Sequence, residues 1–357
     1  MAQAPRGRGA AVNPDNRYAS WNREATEDGW WRDEEAPPAT VTFVDSAKSV
    51  ISRNDSPDLP FDRSINPYRG CEHGCIYCYA RPSHAWIDLS PGLDFETKIG
   101  VKQDAAQRLR QELARPGYAR ETVTPIALGV NTDAWQPLER RLGVTRQILE
   151  VLADCNHPLM LISKGSALMG DLNLLADLAR HNLVHAAISI STLDAALARQ
   201  LEPRAAAPQR RLQMIATLAG AGIPVTVMVS PVIPGLTDHE LEAILDAAAG
   251  AGARWARYGV LRLPKEVDAL FRHWLYATHP DRASRVISLL AQMRGGVSDI
   301  TDTSDFHTRL TGQGTLARLL AQRFALACRR LGLDQPPPEL DCSSFRPPNL
   351  SGQGSLF

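Results

Sequence analysis

The chain has 357 residues, 44% of them hydrophobic, and its 39 Lys and Arg are balanced by 39 Asp and Glu. That length and apolar content suffice for one large domain or two ordinary ones and exclude a small disulfide-stapled fold. A zero net charge excludes a global field that recruits nucleic acid or an anionic membrane, although a local basic groove is compatible with it.

Residues 1–38 are rich in Arg, Asp, Glu, Pro and Asn, with "DGWWRDEEAPP" as their aromatic spot, and are expected to form a flexible arm. "MAQAPRGRGAAVNPDNRYAS" holds no signal-peptide core, and no run reaches the roughly 18 apolar residues of a spanning helix, so a cytoplasmic protein away from membranes is expected. Globular composition begins near residue 39. "NPYRGCEHGCIYCYARPSH", residues 66–84, then places Cys71, Cys75 and Cys78 within eight positions. They are too crowded for simple pairing, and in a reducing compartment metal binding outranks disulfides. One reading is a zinc ion held by the three cysteines and His73 or His84, but C-x3-C-x2-C lacks the paired spacing usual for zinc. A ferredoxin would supply a fourth thiolate and often Pro after the last cysteine, where Tyr79 stands here. Three thiolates also suit a [4Fe–4S] cube whose fourth iron is open to a substrate or cofactor.

From residue 125 short apolar runs alternate with amphipathic helical stretches. The runs are "PIALGV", "PLMLIS", "VHAAISI", "IPVTVMV" and "RWARYGVL"; "GVTRQILEVLADC", "DLNLLADLARHN", "PQRRLQMIATLAGAG" and "DHELEAILDAAAGAG" lie between them. Near-continuous apolar strands joined by helices imply a parallel sheet buried on both faces. With a strand at "SINPYR" before the cysteines, the pattern predicts an α/β fold: a six-stranded parallel (β/α)6 partial TIM barrel with a helical C-terminal extension. The expected boundaries are an arm over 1–38, the barrel with its lead-in over 39–262, and helices and tail over 263–357. Chemistry in such folds gathers at the carboxyl ends of the strands.

The cysteine motif, with aromatic Tyr77 before its last cysteine at the end of the first barrel strand, resembles the radical S-adenosylmethionine superfamily. "SINPYRGCEHGCIYCYARPSH", "SPGLDFETK", "EPRAAAPQRR", "VSPVIPGLTD" and "LRLP" together resemble its spore-photoproduct-lyase-like branch, often labelled DNA repair photolyases. The resemblance implies a [4Fe–4S] cluster on Cys71, Cys75 and Cys78, S-adenosylmethionine on the open iron, and a reducing donor such as flavodoxin or ferredoxin. It also implies reductive cleavage to a 5′-deoxyadenosyl radical that abstracts hydrogen from a substrate. That substrate is a nucleic-acid base lesion in the leading reading and a peptide or small metabolite in the alternative.

Residue by residue, the resemblance places Tyr77 with the cofactor and Asn131, Thr132 and Asp133 at the methionine amino group. Lys164 falls at the methionine carboxylate, Ser189 and Ser191 at the ribose, and Val232 and Ile233 at the adenine. Each has a plainer alternative: a helix cap for Thr132, Asp133 and Ser191, a solvated charge for Lys164, core packing for Val232 and Ile233. Glu202 and Arg204, separated by Pro203, are expected to form a salt bridge in a rigid turn. Arg204, Arg210 and Arg211 are either phosphate contacts or a solvated face. Cys155, Cys328 and Cys342 read as buried apolar residues, any of which could donate hydrogen if near the radical. His181 and His185 are not expected to be ligands, and "TGQGTLARLL" reads as a helix start.

Overall fold

The computed structural model describes residues 4–18, 38–295 and 305–350; the rest of the expected arm and the terminal "GQGSLF" lie outside the described residues. The strands in chain order are β1 (Val41–Val44), β2 (Ile51–Arg53), β3 (Arg63–Ile65), β4 (Tyr68–Arg69), β5 (Lys98–Val101) and β6 (Ile126–Leu128). They continue with β7 (Leu159–Ser163), β8 (Val184–Ser189), β9 (Val225–Val232) and β10 (Trp255–Val260). One sheet has the order β10-β9-β8-β7-β6-β3-β2, parallel at every pairing except the antiparallel edge pair β2–β3. A smaller sheet has the order β1-β5-β4.

The mostly parallel sheet follows from its sequence: β6 is buried at every position, as a strand covered on both faces must be. The helix Val144–Asp154 buries Val144, Ile148, Leu149, Val151 and Leu152, the stripe its periodicity predicts. Leu172–Arg180, Pro208–Gly220 and Leu241–Gly250 likewise join successive strands. "SINPYR" does not form one strand. It divides at Asn66–Pro67 into β3 and β4, which belong to different sheets. Pro67 has no N–H for a ladder, and the Asn66 side chain turns to the β6 loop, accepting from the backbone N–H of Asn131 at 2.9 Å.

Three helices follow the sheet, Glu266–Thr278, Pro280–Met293 and Gly314–Leu331, and their buried residues join the same hydrophobic core as the strands. Arg323 of the last one clamps Glu242 with two hydrogen bonds of 2.6 and 2.7 Å. The chain then returns along the amino ends of the strands: Asp341 N–H donates to Asn182 O, Arg346 N–H to Cys155 O, and Phe345 packs edge-on to Tyr118 and His157. Among the described residues no helix is long and apolar enough to cross a membrane.

One expectation is corrected here, and the reading of Cys155 and Cys328 as buried residues holds, while Cys342 is only partly buried. Residues 8–10 are not part of a flexible arm; they are buried, because their backbone finds a buried carboxylate partner. Cys155 and Cys342 lie at the amino ends of the strands and Cys328 on the outer helix Gly314–Leu331, away from the carboxyl ends where a radical would form. Burial pushes the Cys155 and Cys328 thiols up to about 11, as for inert core cysteines.

Candidate active site

The cysteine loop follows β4. Cys71 N–H donates to Phe95 O at 2.9 Å, Ile76 N–H to Leu201 O at 3.1 Å, and Cys78 N–H to Cys75 O at 3.1 Å. Two glycines permit this course. Gly74 has φ +67°, and a Cβ there would lie 2.8 Å from a Glu96 carboxylate oxygen; Gly70 has φ +88°, and a Cβ would meet the His84 ring at 2.8 Å.

An irregular buried loop must satisfy its backbone with side chains. Arg81, fully buried, donates to Cys75 O at 3.0 Å, Gly74 O at 3.3 Å, Pro91 O at 3.1 Å, Gly92 O at 2.9 Å and the Glu96 carboxylate at 2.5 Å. The second Glu96 oxygen accepts Gly9 N–H and the first Ala10 N–H, both at 2.9 Å, while Arg8 donates to Glu96 O at 2.9 Å. Gly9 lies so close to the loop that a Cβ on it would fall 1.9 Å from Gly74 O. On the other side Gln136 accepts Glu72 N–H at 2.8 Å and donates to Gly70 O at 3.2 Å. Arg8, Gly9, Arg81, Glu96 and Gln136 were not singled out as site residues. The signals available in sequence were the Gly pair in "RGRGAA" and a Glu inside "GLDFETK".

Cys71 and Cys75 are buried and Cys78 is partly buried. Burial foremost, then the charge of Asp133, drives the Cys71 thiol well above its ordinary value; burial also raises the thiols of Cys75 and Cys78. Thiolates here need added positive charge, which iron bound to sulfur would supply and to which the nearby Lys164 ammonium contributes at Cys75 and Cys78. Among the described residues no three His, Cys, Asp or Glu side chains converge as ligands of one ion. His73 faces Asp133, with Nδ1 3.4 Å from Oδ2, and His84 Nε2 is bonded to Lys98 O at 2.9 Å. Three thiols on one glycine-bent loop are the donor set of a [4Fe–4S] cube with one open iron.

The strand ends bring other predicted residues to this loop. Asp133, after β6, accepts from Ser163 Oγ at 2.8 Å, Lys164 N–H at 2.7 Å and Trp135 N–H at 2.9 Å, besides facing His73. It thereby ties the ends of β6 and β7 to the cysteine loop. Asn131 and Thr132 serve the turn itself: their N–H groups converge on Asn66 Oδ1, and Thr132 Oγ donates to Tyr68 O at 2.7 Å.

Beyond β8, Glu202 is the hub. Its carboxylate accepts from Tyr77 Oη, from Ser191 Oγ at 2.8 Å and from the Arg211 guanidinium. Burial alone would raise its carboxyl, but the charges of Arg211 and Lys164 and the hydrogen bonds from Arg211 and Tyr77 outweigh burial and hold it at about 2. Arg211 also donates to Ser189 O at 3.0 Å and Ala206 O at 2.7 Å. Several expectations change accordingly. The partner of Glu202 is Arg211; Arg204 binds Glu72 at 2.9 Å instead. Arg211 is buried, so it is neither a phosphate contact nor a solvated face, and Arg210 bonds Gln213 at 3.3 Å. The helix cap is Asp194, which accepts from Ala196 and Leu197 N–H, while Ser191 serves Glu202. Val232 and Ile233 are core residues at the end of β9.

A mostly parallel α/β sheet thus carries a three-cysteine loop that follows β4, a few residues beyond the carboxyl end of β3. Residues 65–248 match the Radical SAM superfamily, and the chain belongs to that superfamily: it is a radical S-adenosylmethionine enzyme. An uncharacterised protein of Mycobacterium tuberculosis is 42% identical over 249 residues, covering 69% of this chain and 72% of that protein. The fold is similar to spore photoproduct lyase complexed with dinucleoside spore photoproduct, with a TM-score of 0.56, 14% identity, and coverage of 82% of this chain and 79% of that one. It is also similar to a mutant of that lyase with bound AdoMet and the same dinucleoside, at a TM-score of 0.53 and 16% identity over 78% of this chain and 76% of that one.

Proposed function

We propose that Cys71, Cys75 and Cys78 hold a [4Fe–4S] cluster, that S-adenosylmethionine binds at the adjoining strand ends of a (β/α)6 partial barrel, and that the substrate is a nucleic-acid base. The observation that carries this reading is the convergence of Asp133, Lys164 and the cysteine loop, linked through His73 and the Lys164 backbone. Held by Cys71, Cys75 and Cys78, a [4Fe–4S] cluster would supply the low-potential electron for reductive cleavage of S-adenosylmethionine and so the hydrogen-abstracting chemistry of the site. Asp133 offers its carboxylate to the ammonium of the methionine moiety and Lys164 its ammonium to the carboxylate, two opposite charges set at neighbouring strand ends. Ionised Glu202 fixes Tyr77 and Ser191 in one orientation toward the nucleoside, while Val232 and Ile233, packed in the core, hold the end of β9 in place. The barrel with its lead-in spans 39–262, and the helices of 263–357 complete its core.

The nucleic-acid reading is supported by similarity in fold to a lyase solved with a dinucleoside lesion. A base attacked at the barrel centre must leave its stack, so single-stranded or lesioned oligonucleotides are the expected ligands. Two experiments test the proposal. Asp133→Asn, which keeps the carbonyl acceptor for the strand ends, and Lys164→Ala should each weaken S-adenosylmethionine binding by about tenfold or more in calorimetry, the loss of one charge-assisted contact, with iron content unchanged. Wild-type affinity in both would overturn the cofactor assignment. Fluorescent oligonucleotides titrated at several salt concentrations should bind with salt-dependent affinity; no binding at low salt would move the substrate to a peptide or metabolite.

A further inference from the structure

Leu261 and Leu263 of "LRLP", directly after β10, are buried in the core, and Arg262 between them lies at the carboxyl rim of the sheet. Its guanidinium stands over the Tyr79 ring, 5.3 Å from the centroid. Tyr79 directly follows Cys78, and its Oη donates to Val130 O beyond β6. The pair therefore links the ends of β6 and β10 beside the cysteine loop.

The neighbouring arginines act as braces. Arg294 donates to Leu261 O at 2.8 Å and Thr308 O at 3.1 Å, and Arg309 clamps Asp58 with two bonds of 2.5 and 2.6 Å. Arg262 does not: among the described residues it donates no hydrogen bond, and its Nε is buried without a partner. Burial foremost, then the charge of Arg309, works against its ionised form, and Asp58, which would favour that form, is already taken by Arg309. A guanidinium kept in such surroundings with its donors unspent is a receptor for an oxyanion. Tyr79 indicates which one. Its ring is 45% exposed, so an aromatic face and a cation stand side by side at the mouth. A nucleotide uses both, its base stacking on the ring while the strand phosphate meets the guanidinium; a lone carboxylate would use the cation and leave the ring bare.

We propose that Arg262 is a specificity-determining residue that binds the backbone phosphate flanking the nucleotide whose base lies on Tyr79. The inference rests on the nucleic-acid reading above and adds where the strand is held.

The test uses the reconstituted full chain and a short fluorescent single strand in which one neutral methylphosphonate is moved linkage by linkage. Wild type should lose about tenfold in affinity at low salt when one particular linkage is neutral. Arg262→Gln should bind the natural strand about tenfold more weakly and no longer sense that linkage, while Arg262→Lys, which keeps the charge, should still sense it. A wild type that tolerates the neutral group at every linkage overturns the proposal without recourse to any variant. So does Arg262→Gln that senses the linkage as wild type does, or an acidic peptide that wild type binds more tightly than any strand and Arg262→Gln does not. Wild type that binds no strand at low salt would strike the nucleic-acid reading and the phosphate assignment with it, whereas strand binding that ignores Arg262 strikes the assignment alone.

Discussion

The two sides of the sheet's carboxyl rim are built by different means. Around the cysteine loop, buried charge does the holding: Arg81 and Glu96 bind four backbone carbonyls and two backbone N–H groups, and Glu202 with Arg211 fixes Tyr77 and Ser191. At the ends of β9 and β10, Val232, Ile233, Val260 and Leu261 are packed in a continuous apolar core. The contrast has a physical cause. The loop has no strand ladder, so its polar backbone must be answered by side chains, whereas β9 and β10 answer each other and leave only apolar surface to cover.

The comparison is broken most severely by Arg81→Met. It leaves the Glu96 carboxylate buried without its cation and strips the Cys75 and Gly74 carbonyls of their donor, so a loss of about 3–5 kcal/mol in stability and a failure to retain iron are expected in denaturant titration and iron assay. Wild-type stability with full iron would show that the ion pair is dispensable to the loop.

Next in size is a pH effect that belongs to neither side. His157, at the amino edge of the sheet, is buried with Tyr118 Oη on one ring nitrogen and Pro158 O at the other. Burial foremost, with the charge of Arg63 added, lowers its pKa from 6.5 to about 4. The neutral form is the folded one, so its stabilisation is complete above pH 6.5, is lost as pH falls, and changes no further below about 4. At about 1.4 kcal/mol per unit the loss approaches about 3 kcal/mol. His157→Gln should flatten the stability profile between pH 6.5 and 4 by one proton; an unchanged slope would place that proton on another group.

The smallest effects sharpen the contrast. Gly9→Ala forces a methyl against Gly74 O and should cost about 1–3 kcal/mol while lowering iron retention. Ile233→Val removes one buried methylene for about 0.5–1.5 kcal/mol and should leave iron untouched. The same iron deficit in both would erase the distinction between the two sides.

Much of the fold could be read from periodicity, because β6 to β10 and their helices announce burial with runs and stripes of apolar residues. The cysteine spacing announced the loop, and Asp133 and Lys164 stood out by following apolar strands. The braces did not stand out. Arg8, Gly9 and Ala10 sit in an Arg- and Gly-rich stretch whose composition reads as disorder, and their partner lies 86 to 88 residues away. Glu202 had a nearer cation in Arg204, yet the helix Pro208–Gly220 turns Arg211 inward to it. Pairings closed by tertiary contact leave no local period. The break at Pro67 was different, since a proline without an N–H inside a proposed strand was visible from the start.

The most direct measurement is product analysis of anaerobically reconstituted, dithionite-reduced protein incubated with S-adenosylmethionine. Wild type carrying about four irons per chain should release 5′-deoxyadenosine and methionine in equal amounts, and Cys71→Ala, Cys75→Ala and Cys78→Ala should bind no cluster and release neither. Protein with its full iron complement that leaves S-adenosylmethionine intact under these conditions would contradict the account.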